Sequence, residues 1–326
     1  MFNPTIFRKI KDKTPTYFKI ADNNIIKESK ILEKLNNLII PPAWTNVLID
    51  IKKDAKLLVV GYDTGGKKQY IYSKTHIKLA ANKKFKNLIN FGAKINAVNK
   101  KVDQLIKLKK ININKMIGII IKIMLICNFR IGTEYCFDKY GSIGITTIMK
   151  KNLKFTNKDI IINFIGKKGV KNLCTIKINN STKELIEELK KIYDLKSSNS
   201  DFIFEIKNYK INYTDIHEFL KFKYGITSKD IRTWNANIIL LNELKEIESI
   251  KLKKNIKLQK KKKLKLAIEN TSKRLHHTVA VCRKNYLYND ILLLYLNKPT
   301  IFKKNFINDK DMKTNFVNFL KKKYIK

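Results

Sequence analysis

The sequence predicts an α+β fold in which a small antiparallel β-sheet near the N-terminus precedes a larger, mostly α-helical unit that carries a β-hairpin. Up to about residue 73, short β-branched and apolar segments alternate with turn residues, which is typical of paired strands. From Lys74 the apolar spacing becomes helical. Two more strand segments flank a Gly-Lys-Lys-Gly turn at residues 166–169. With 326 residues, 44% of them hydrophobic, the chain can bury one large core and one small one.

The first forty residues are polar and predict only a short helix around Lys27–Leu38. The pair Pro41-Pro42 then forces an extended backbone, because proline restricts both its own φ and the residue before it. We expect residues 1–80 to form a domain built on the N-terminal sheet and residues 81–326 to form a second domain, although no linker composition marks this boundary. The predicted strands of the first domain are Asn46–Ile51, Leu57–Tyr62 and Lys68–Ser73.

The second domain combines helical segments with the predicted hairpin, whose strands are Ile160–Ile165 and Val170–Ile178. The segment Lys251–Lys265 is the densest basic run and is typical of a solvated helix face or a biased linker, and the tail after Asn297 predicts one or two helices. The other predicted helices are Lys74 to about Lys110, Asn114–Phe129, Lys183–Tyr193, Tyr213–Tyr224 and Ile231–Lys245.

The formal net charge of +42 indicates a polyanionic partner, most simply nucleic acid. Any single lysine run could instead reflect a genome-wide bias towards Lys, Asn and Ile. The arginines are more informative, because a planar guanidinium can bind two phosphate oxygens at once and an ammonium cannot. Only five of the 69 basic residues are arginines: Arg8, Arg130, Arg232, Arg274 and Arg283.

The four cysteines lie far apart and form no C-x-x-C pair, so the sequence predicts neither a zinc knuckle nor a disulfide framework and favours a reducing compartment. The N-terminus lacks the apolar core of a secretion signal. The longest apolar stretch, Met116–Cys127, is interrupted by Lys122 and is too short to cross a bilayer. We therefore expect an intracellular protein without a membrane segment.

Two motifs place an arginine at the end of a predicted helix or within one. In Asn128-Phe129-Arg130-Ile131-Gly132 an apolar helix leads to Arg130, and Gly132 allows another backbone to approach closely. In Lys229-Asp230-Ile231-Arg232-Thr233-Trp234 the two basic residues are three apart, which is one face of a helix. Two separated arginines could hold the non-bridging oxygens of one phosphate without a metal, and the sequence has no carboxylate cluster of the kind that a two-metal nuclease needs.

The segment from His276 to Tyr286 places two histidines, Arg283 and a phenol within a short span. Either His276 or His277 could donate a hydrogen bond to a phosphate oxygen. A tyrosine that attacks a phosphodiester keeps the bond energy in a covalent link, so resealing needs no ATP. By spacing alone, two further phenols remain alternatives for this role: Tyr288 and Tyr295.

In this order the motifs resemble those of the type IB DNA topoisomerases of the poxvirus, mimivirus and bacterial group. The resemblance begins near Pro41 and extends beyond Tyr286. It is carried by Pro41-Pro42-Ala43-Trp44-Thr45, Gly61-Tyr62-Asp63 with Lys68-Gln69-Tyr70-Ile71-Tyr72, Arg130-Ile131-Gly132, Phe164-Ile165-Gly166-Lys167, Lys229-Asp230-Ile231-Arg232-Thr233-Trp234, and Thr278-Val279-Ala280-Val281-Cys282-Arg283-Lys284-Asn285-Tyr286.

The resemblance implies an enzyme that relaxes supercoiled DNA through a 3′-phosphotyrosyl link to Tyr286. Arg130 and Arg232 would clamp the scissile phosphate, His277 would bind one of its oxygens, and Lys167 at the hairpin tip would protonate the leaving 5′ oxygen. The chain would act as a monomer on double-stranded DNA, with no metal, nucleotide or other cofactor. The N-terminal sheet would complete a clamp around the duplex, and the residues expected to contact DNA are Gln69, Tyr70, Tyr72, Lys229 and Arg283.

Three positions depart from the family pattern. Cys136 stands where the family usually has a tyrosine, with Tyr135 beside it. Thr278-Val279 replaces Thr-Pro, and Lys168 adjoins Lys167, which leaves a shared acid role open.

Two other functions compete with this interpretation. A tyrosine recombinase would use the same catalytic domain, but recombinases typically have histidine at the position of Lys229. A non-catalytic DNA-packaging protein would explain the charge but not the arrangement of the scarce Arg, His and Tyr residues.

Overall fold

The computed structural model describes residues 2–11, 14–248, 256–307 and 311–324. The chain divides into two compact units, Met1–Lys84 and Phe85–Lys326. The first is built on an antiparallel sheet, and the second is mostly helical with a smaller sheet. The predicted α+β composition is therefore confirmed.

The sheet of the first unit has the strand order β2-β1-β3-β4-β5, and each neighbouring pair is antiparallel. A helix, α1 (Ser29–Asn36), contributes its buried Leu35 to a core that the sheet covers with Ile6, Val47 and Val59. The strands are β1 (Ile6–Lys11), β2 (Thr14–Lys19), β3 (Thr45–Ile49), β4 (Leu57–Tyr62) and β5 (Lys68–Tyr72).

The expectation that the first forty residues hold only a local helix was wrong, because β1 and β2 pair along their length there. The reason is Arg8, which lies on the buried side of β1 and breaks the apolar alternation that marks a strand. Its guanidinium donates to the backbone carbonyls of Ile40 (3.2 Å), Pro41 (3.0 Å) and Trp44 (2.8 Å). This arginine thus fixes the Pro-Pro-Ala-Trp loop rather than a phosphate.

The second unit is mostly helical, and Trp234 of α7 (Ser228–Glu248) packs between Phe91 and Phe316. Residues 251–255 of the predicted basic run lie outside the described residues, and a helix begins at Ile256. The helices are α2 (Lys74–Ile106), α3 (Ile113–Cys127), α4 (Glu134–Tyr140), α5 (Lys183–Asp194), α6 (Tyr213–Tyr224), α7 (Ser228–Glu248), α8 (Ile256–Arg274), α9 (Val279–Asn285), α10 (Asn289–Asn297), α11 (Pro299–Phe306) and α12 (Met312–Tyr324).

The predicted hairpin is confirmed and belongs to a sheet with the order β6-β7-β8. These strands are β6 (Leu153–Phe155), which the sequence did not predict, β7 (Asp159–Ile165) and β8 (Lys171–Lys177). In the turn between β7 and β8, the Gly166 N–H donates to the carbonyl of Val170 at 2.8 Å. A further short pair, β9 (Glu205–Ile206) and β10 (Tyr209–Lys210), precedes α6.

The prediction that no cysteines pair was wrong for Cys127 and Cys174, which form a disulfide. They are 47 residues apart, so their spacing gave no sign of it. Tertiary packing of the end of α3 against β8 brings them together. Across the ranges that the structure describes, no helix has both the length and the hydropathy to cross a membrane.

Candidate active site

Arg130, Arg232, His277 and Tyr286 meet at one place in the second unit. The Nη2 atom of Arg232 lies 2.8 Å from Nε2 of His277, and Nη2 of Arg130 lies 3.2 Å from Nδ1 and 3.3 Å from Nε2 of the same ring. The rings of His277 and Tyr286 lie 4.7 Å apart between centroids. Sequence positions that are up to 156 residues apart thus converge on one histidine.

Arg130 follows the end of α3 directly. Asn128 stops the helix in the left-handed conformation with φ of 59°, and buried Phe129 packs on Phe164 of β7. The carbonyl of Arg130 accepts a hydrogen bond of 2.9 Å from the N–H of Ile145. Gly132 has φ of +108°, and a Cβ there would lie only 2.9 Å from Cα of Gly144. The predicted close backbone approach at Gly132 is therefore confirmed.

Arg232 is 4% exposed in the first half of α7. Its Nη2 donates to the carbonyl of Leu275 at 2.9 Å and to His277, whereas its buried Nε and Nη1 have no partner at hydrogen-bonding geometry among the described residues. Burial, together with the charge of Arg130, lowers the pKa of Arg232 to about 10, although Tyr286 opposes part of this change. The side chain stays charged at neutral pH, so its two unused donors favour an anion.

His277 is half-buried between the two guanidinium groups. Burial, together with the charges of Arg232 and Arg130, lowers its pKa to about 3. The ring is therefore neutral at physiological pH. Arginine has no acceptor, so Nε2, the ring nitrogen at 2.8 Å from Arg232, accepts from its Nη2.

His276 points away from this cluster. It is 8% exposed, and its Nε2 donates to the carbonyl of Cys127 at 3.0 Å. Burial lowers its pKa as well. The geometry therefore favours His277 over His276 as the histidine that faces a ligand.

Tyr286 follows α9 and is held through its backbone. Thr278 caps α9 by accepting from the N–H of Val281 at 3.4 Å, in the place of the family's Thr-Pro. Buried Asn237 of α7 donates to the carbonyl of Tyr286 at 2.9 Å and accepts from the N–H of Tyr288 at 2.8 Å. Sequence reasoning missed Asn237, although amide side chains within the apolar part of α7 were a usable signal.

The alternative phenols are engaged elsewhere. Tyr288 is 3% exposed and donates to Asp290 at 3.1 Å, and Tyr295 is 2% exposed and donates to Glu248 at 2.6 Å. Burial raises the pKa of both phenols, with smaller contributions from Tyr324 and Asp290 for Tyr288 and from Glu248 for Tyr295. Neither phenol is as available to a ligand as the half-buried Tyr286.

Lys167 is exposed at the hairpin tip, and no hydrogen bond or ion pair of the described residues joins it to the four clustered side chains. Its neighbour Lys168 has φ of 62°, which places the two lysines in a tight turn. The hairpin itself is tied to the cluster. Phe164 packs on Phe129 with ring centroids 4.8 Å apart, and the carbonyl of Ile165 accepts from the N–H of Ile143 at 3.1 Å.

The residues predicted to contact DNA are accessible in their own units. In β5, Tyr70 and Tyr72 stack with centroids 6.2 Å apart and are 47% and 41% exposed. Gln69 donates to Asp63 at 2.6 Å. Lys229 and Arg283 are exposed on α7 and α9 of the second unit.

The chain is similar to known proteins over most of its length. The family described as "Eukaryotic DNA topoisomerase I, catalytic core" matches residues 73–300, and "Bacterial DNA topoisomerase IB, N-terminal domain" matches residues 16–63. The DNA topoisomerase 1B of Acanthamoeba polyphaga mimivirus is 32% identical, over 90% of this chain and 88% of its own. The DNA topoisomerase 1B of Vaccinia virus (strain Western Reserve) is 25% identical, over 92% of each chain.

Proposed function

The chain belongs to the type IB DNA topoisomerases, and from that membership we propose that Tyr286 opens one strand of duplex DNA through a 3′-phosphotyrosyl link that the free 5′ end later reverses. As a member of this family it is a DNA topoisomerase that acts on double-stranded DNA. The assignment of single residues rests on the geometry of the cluster.

The observation that carries the proposal is the environment of Arg232. It is a buried, charged guanidinium whose Nε and Nη1 atoms have no partner at hydrogen-bonding geometry among the described residues, and it lies beside a second arginine and a half-buried tyrosine. Burying a guanidinium with two of its nitrogen atoms unpartnered is unfavourable, so the arrangement favours a bound phosphate. Arg130 and Arg232 would stabilise the non-bridging oxygens, on which charge grows in the pentacoordinate transition state.

In the cleavage step, the Tyr286 oxygen attacks phosphorus and loses its proton to water. A new bond forms between that oxygen and phosphorus, and the bond between phosphorus and the 5′ oxygen breaks. Lys167 gives its proton to the departing 5′ oxygen, which general acid catalysis requires to lie within hydrogen-bonding reach. The exposed tip position of Lys167 lets the hairpin approach a bound duplex to supply that proton.

His277 binds a non-bridging oxygen in this scheme. Its neutral ring has a single N–H to donate. Because the covalent link conserves the phosphodiester energy, resealing needs no nucleotide. We propose that no metal is needed either, because the two guanidinium groups supply the positive charge.

The rest of the duplex would be held by both units. Tyr70, Tyr72 and Gln69 of the N-terminal sheet would enter the major groove, while Lys229 and Arg283 would bind phosphates, so that a monomer forms a clamp around DNA. Most of the affinity would come from phosphate neutralisation, since the chain has a net charge of +42. The expected place of action is therefore at intracellular DNA, in a virion or at a viral replication site if the source is viral.

The two competing functions are less well supported. A tyrosine recombinase could use the same four clustered residues, but Lys229 stands where recombinases typically have histidine. The match of residues 16–63 to a topoisomerase IB N-terminal domain also favours a topoisomerase. A packaging protein would not need a buried arginine with unused donors beside a tyrosine.

Plasmid relaxation tests the proposal. Purified protein should relax both positive and negative supercoils in EDTA and without nucleotide, and strict dependence on Mg²⁺ or ATP would contradict it. Tyr286→Phe should bind duplex DNA normally and form no covalent complex, because only the attacking oxygen is lost. Tyr288→Phe is the matched control and should still form the complex, since its phenol donates to Asp290.

A further inference from the structure

The end of α3 contacts each of the segments that carry Arg130, Arg232 and His277. At its centre lies Asn128, which is 3% exposed and ends the helix in the left-handed conformation. Its side chain accepts from Asn235 of α7 at 2.8 Å and donates to the carbonyl of Arg274 at 3.2 Å. One amide therefore joins α3, α7 and the turn that follows α8.

The branch towards α7 passes through Asn235. Its Nδ2 atom uses both protons, one to the carbonyl of Leu125 at 2.9 Å and one to Oδ1 of Asn128. Asn235 lies three residues after Arg232, which is about one helical turn. These bonds therefore fix the start of the helix that carries Arg232 against the helix end that leads to Arg130.

The branch towards the histidines passes through the backbone of residues 274–277. The carbonyl of Arg274 accepts from Asn128, and the ring of His276 donates to the carbonyl of Cys127. His276 itself has φ of 54°, a conformation that a non-glycine residue adopts only when its surroundings hold it. The next residue is His277, so this turn sets where the imidazole lies.

We propose that Asn128 and Asn235 form a positioning pair that sets the distances among Arg130, Arg232 and His277 for cleavage. The inference rests on the roles proposed above for those three residues. Neither amide belongs to the cluster of four side chains. Each would act by holding a backbone segment that carries a residue proposed to bind the phosphate. Such a pair matters because a displacement of about 1 Å at a catalytic group can lower a rate by about 10²-fold.

The main test compares Asn235→Ala with Asn270→Ala. Asn270 is a matched control, because it is a half-buried asparagine that joins α8 to Glu243 of α7 through a 2.7 Å hydrogen bond away from the cluster. In single-turnover cleavage of a suicide substrate, Asn235→Ala should lose about 10²-fold in rate with unchanged DNA affinity. Asn270→Ala should cleave at the wild-type rate.

A double-mutant cycle separates positioning from general destabilisation. If Asn235 acts through Arg232, Asn235→Ala should cause almost no further loss of cleavage rate in an Arg232→Ala background. If Asn235→Ala instead damages the fold, its loss of rate should multiply with the loss caused by Arg232→Ala. In a Lys167→Ala background the full loss should reappear, because no hydrogen bond or ion pair of the described residues joins the Lys167 side chain to the cluster. A multiplicative loss in both backgrounds, or a wild-type rate in Asn235→Ala, overturns the positioning pair.

Variants at Asn128 keep the test decisive if Asn235→Ala does not fold. Asn128→Gly retains the left-handed helix stop and deletes the amide. Asn128→Asp keeps an oxygen that accepts from Asn235 but sets a second acceptor against the carbonyl of Arg274, so both Asn128 variants should lose cleavage rate, and a wild-type rate in either would overturn the assignment. A wild-type cleavage rate in Arg232→Ala would instead refute the proposed function itself.

Discussion

Arg232 and His277 are joined by a 2.8 Å hydrogen bond in which the buried guanidinium donates to Nε2 of the imidazole. Protonation of Nε2 would break this bond and place a third positive charge beside Arg130 and Arg232. The bond therefore keeps the histidine neutral, in agreement with a pKa that burial and the two arginines lower to about 3. A bound phosphate would relieve the same repulsion, which links the charge of the cluster to its ligand.

The lowered pKa predicts how stability depends on pH. Between pH 6.5 and about 3 the unfolded chain binds a proton at His277 that the folded chain does not, so the free energy of unfolding should fall as the pH falls through this range. His277→Asn removes the titrating ring, so its acid loss should be smaller than that of the wild type. Urea unfolding at constant ionic strength measures both, and parallel curves for the two proteins would contradict the prediction.

The geometry also predicts that charge alone cannot replace either arginine of the cluster. Arg130→Lys and Arg232→Lys should each lower the single-turnover cleavage rate by on the order of 10²–10³-fold, because an ammonium cannot offer two donors in a fixed plane. Arg274→Lys is the control, since that side chain is exposed and pairs with Glu243 at 3.6 Å, and it should cleave normally. A near wild-type rate in either cluster variant would make that arginine structural.

The disulfide predicts a dependence on reductant. The Cys127–Cys174 bond closes a loop of 47 residues, so the chain-entropy argument assigns it roughly 4 kcal/mol of stability. Reduction should lower the urea midpoint of the wild type to that of Cys174→Ser, which should not respond to reductant. Cys136→Ser, which changes a free cysteine, should behave as the wild type does. An unchanged midpoint after complete reduction would show that the bond does not contribute.

The sequence predicted the four clustered side chains better than the residues and strands that hold the structure around them. Arg130, Arg232, His277 and Tyr286 could be singled out because arginine is scarce and the motifs occur in a fixed order. The hairpin could be predicted because its turn chemistry is local. Strand β1 was missed because a buried arginine, satisfied by loop carbonyls, imitates an exposed one in a pattern of apolar residues.

Residue pairs that are far apart in the sequence leave no local pattern from which their contact could be predicted. Asn128 and Asn235 are 107 residues apart, and Cys127 and Cys174 are 47 apart, so only the packing of α3 against α7 and β8 brings them together. Polar residues within apolar helices were nevertheless a usable signal. Asn235 and Asn237 both lie in α7, and each binds a segment that carries a cluster residue.

Lys167 allows the most direct test of a chemical role. As a general acid it gives a proton to the 5′ oxygen as that oxygen departs, so Lys167→Ala should slow the chemical step and leave DNA affinity unchanged. A substrate with sulfur in place of the bridging 5′ oxygen has a leaving group that needs little protonation, because a thiolate is far more stable than an alkoxide. Single-turnover cleavage of this substrate by Lys167→Ala should therefore recover most of the lost rate. Arg130→Ala, whose proposed contact is to non-bridging oxygens, should recover little. Equal rescue of both variants, or rescue of neither, would show that Lys167 acts through charge or position, and Lys168→Ala would then test whether its neighbour in the turn supplies the proton.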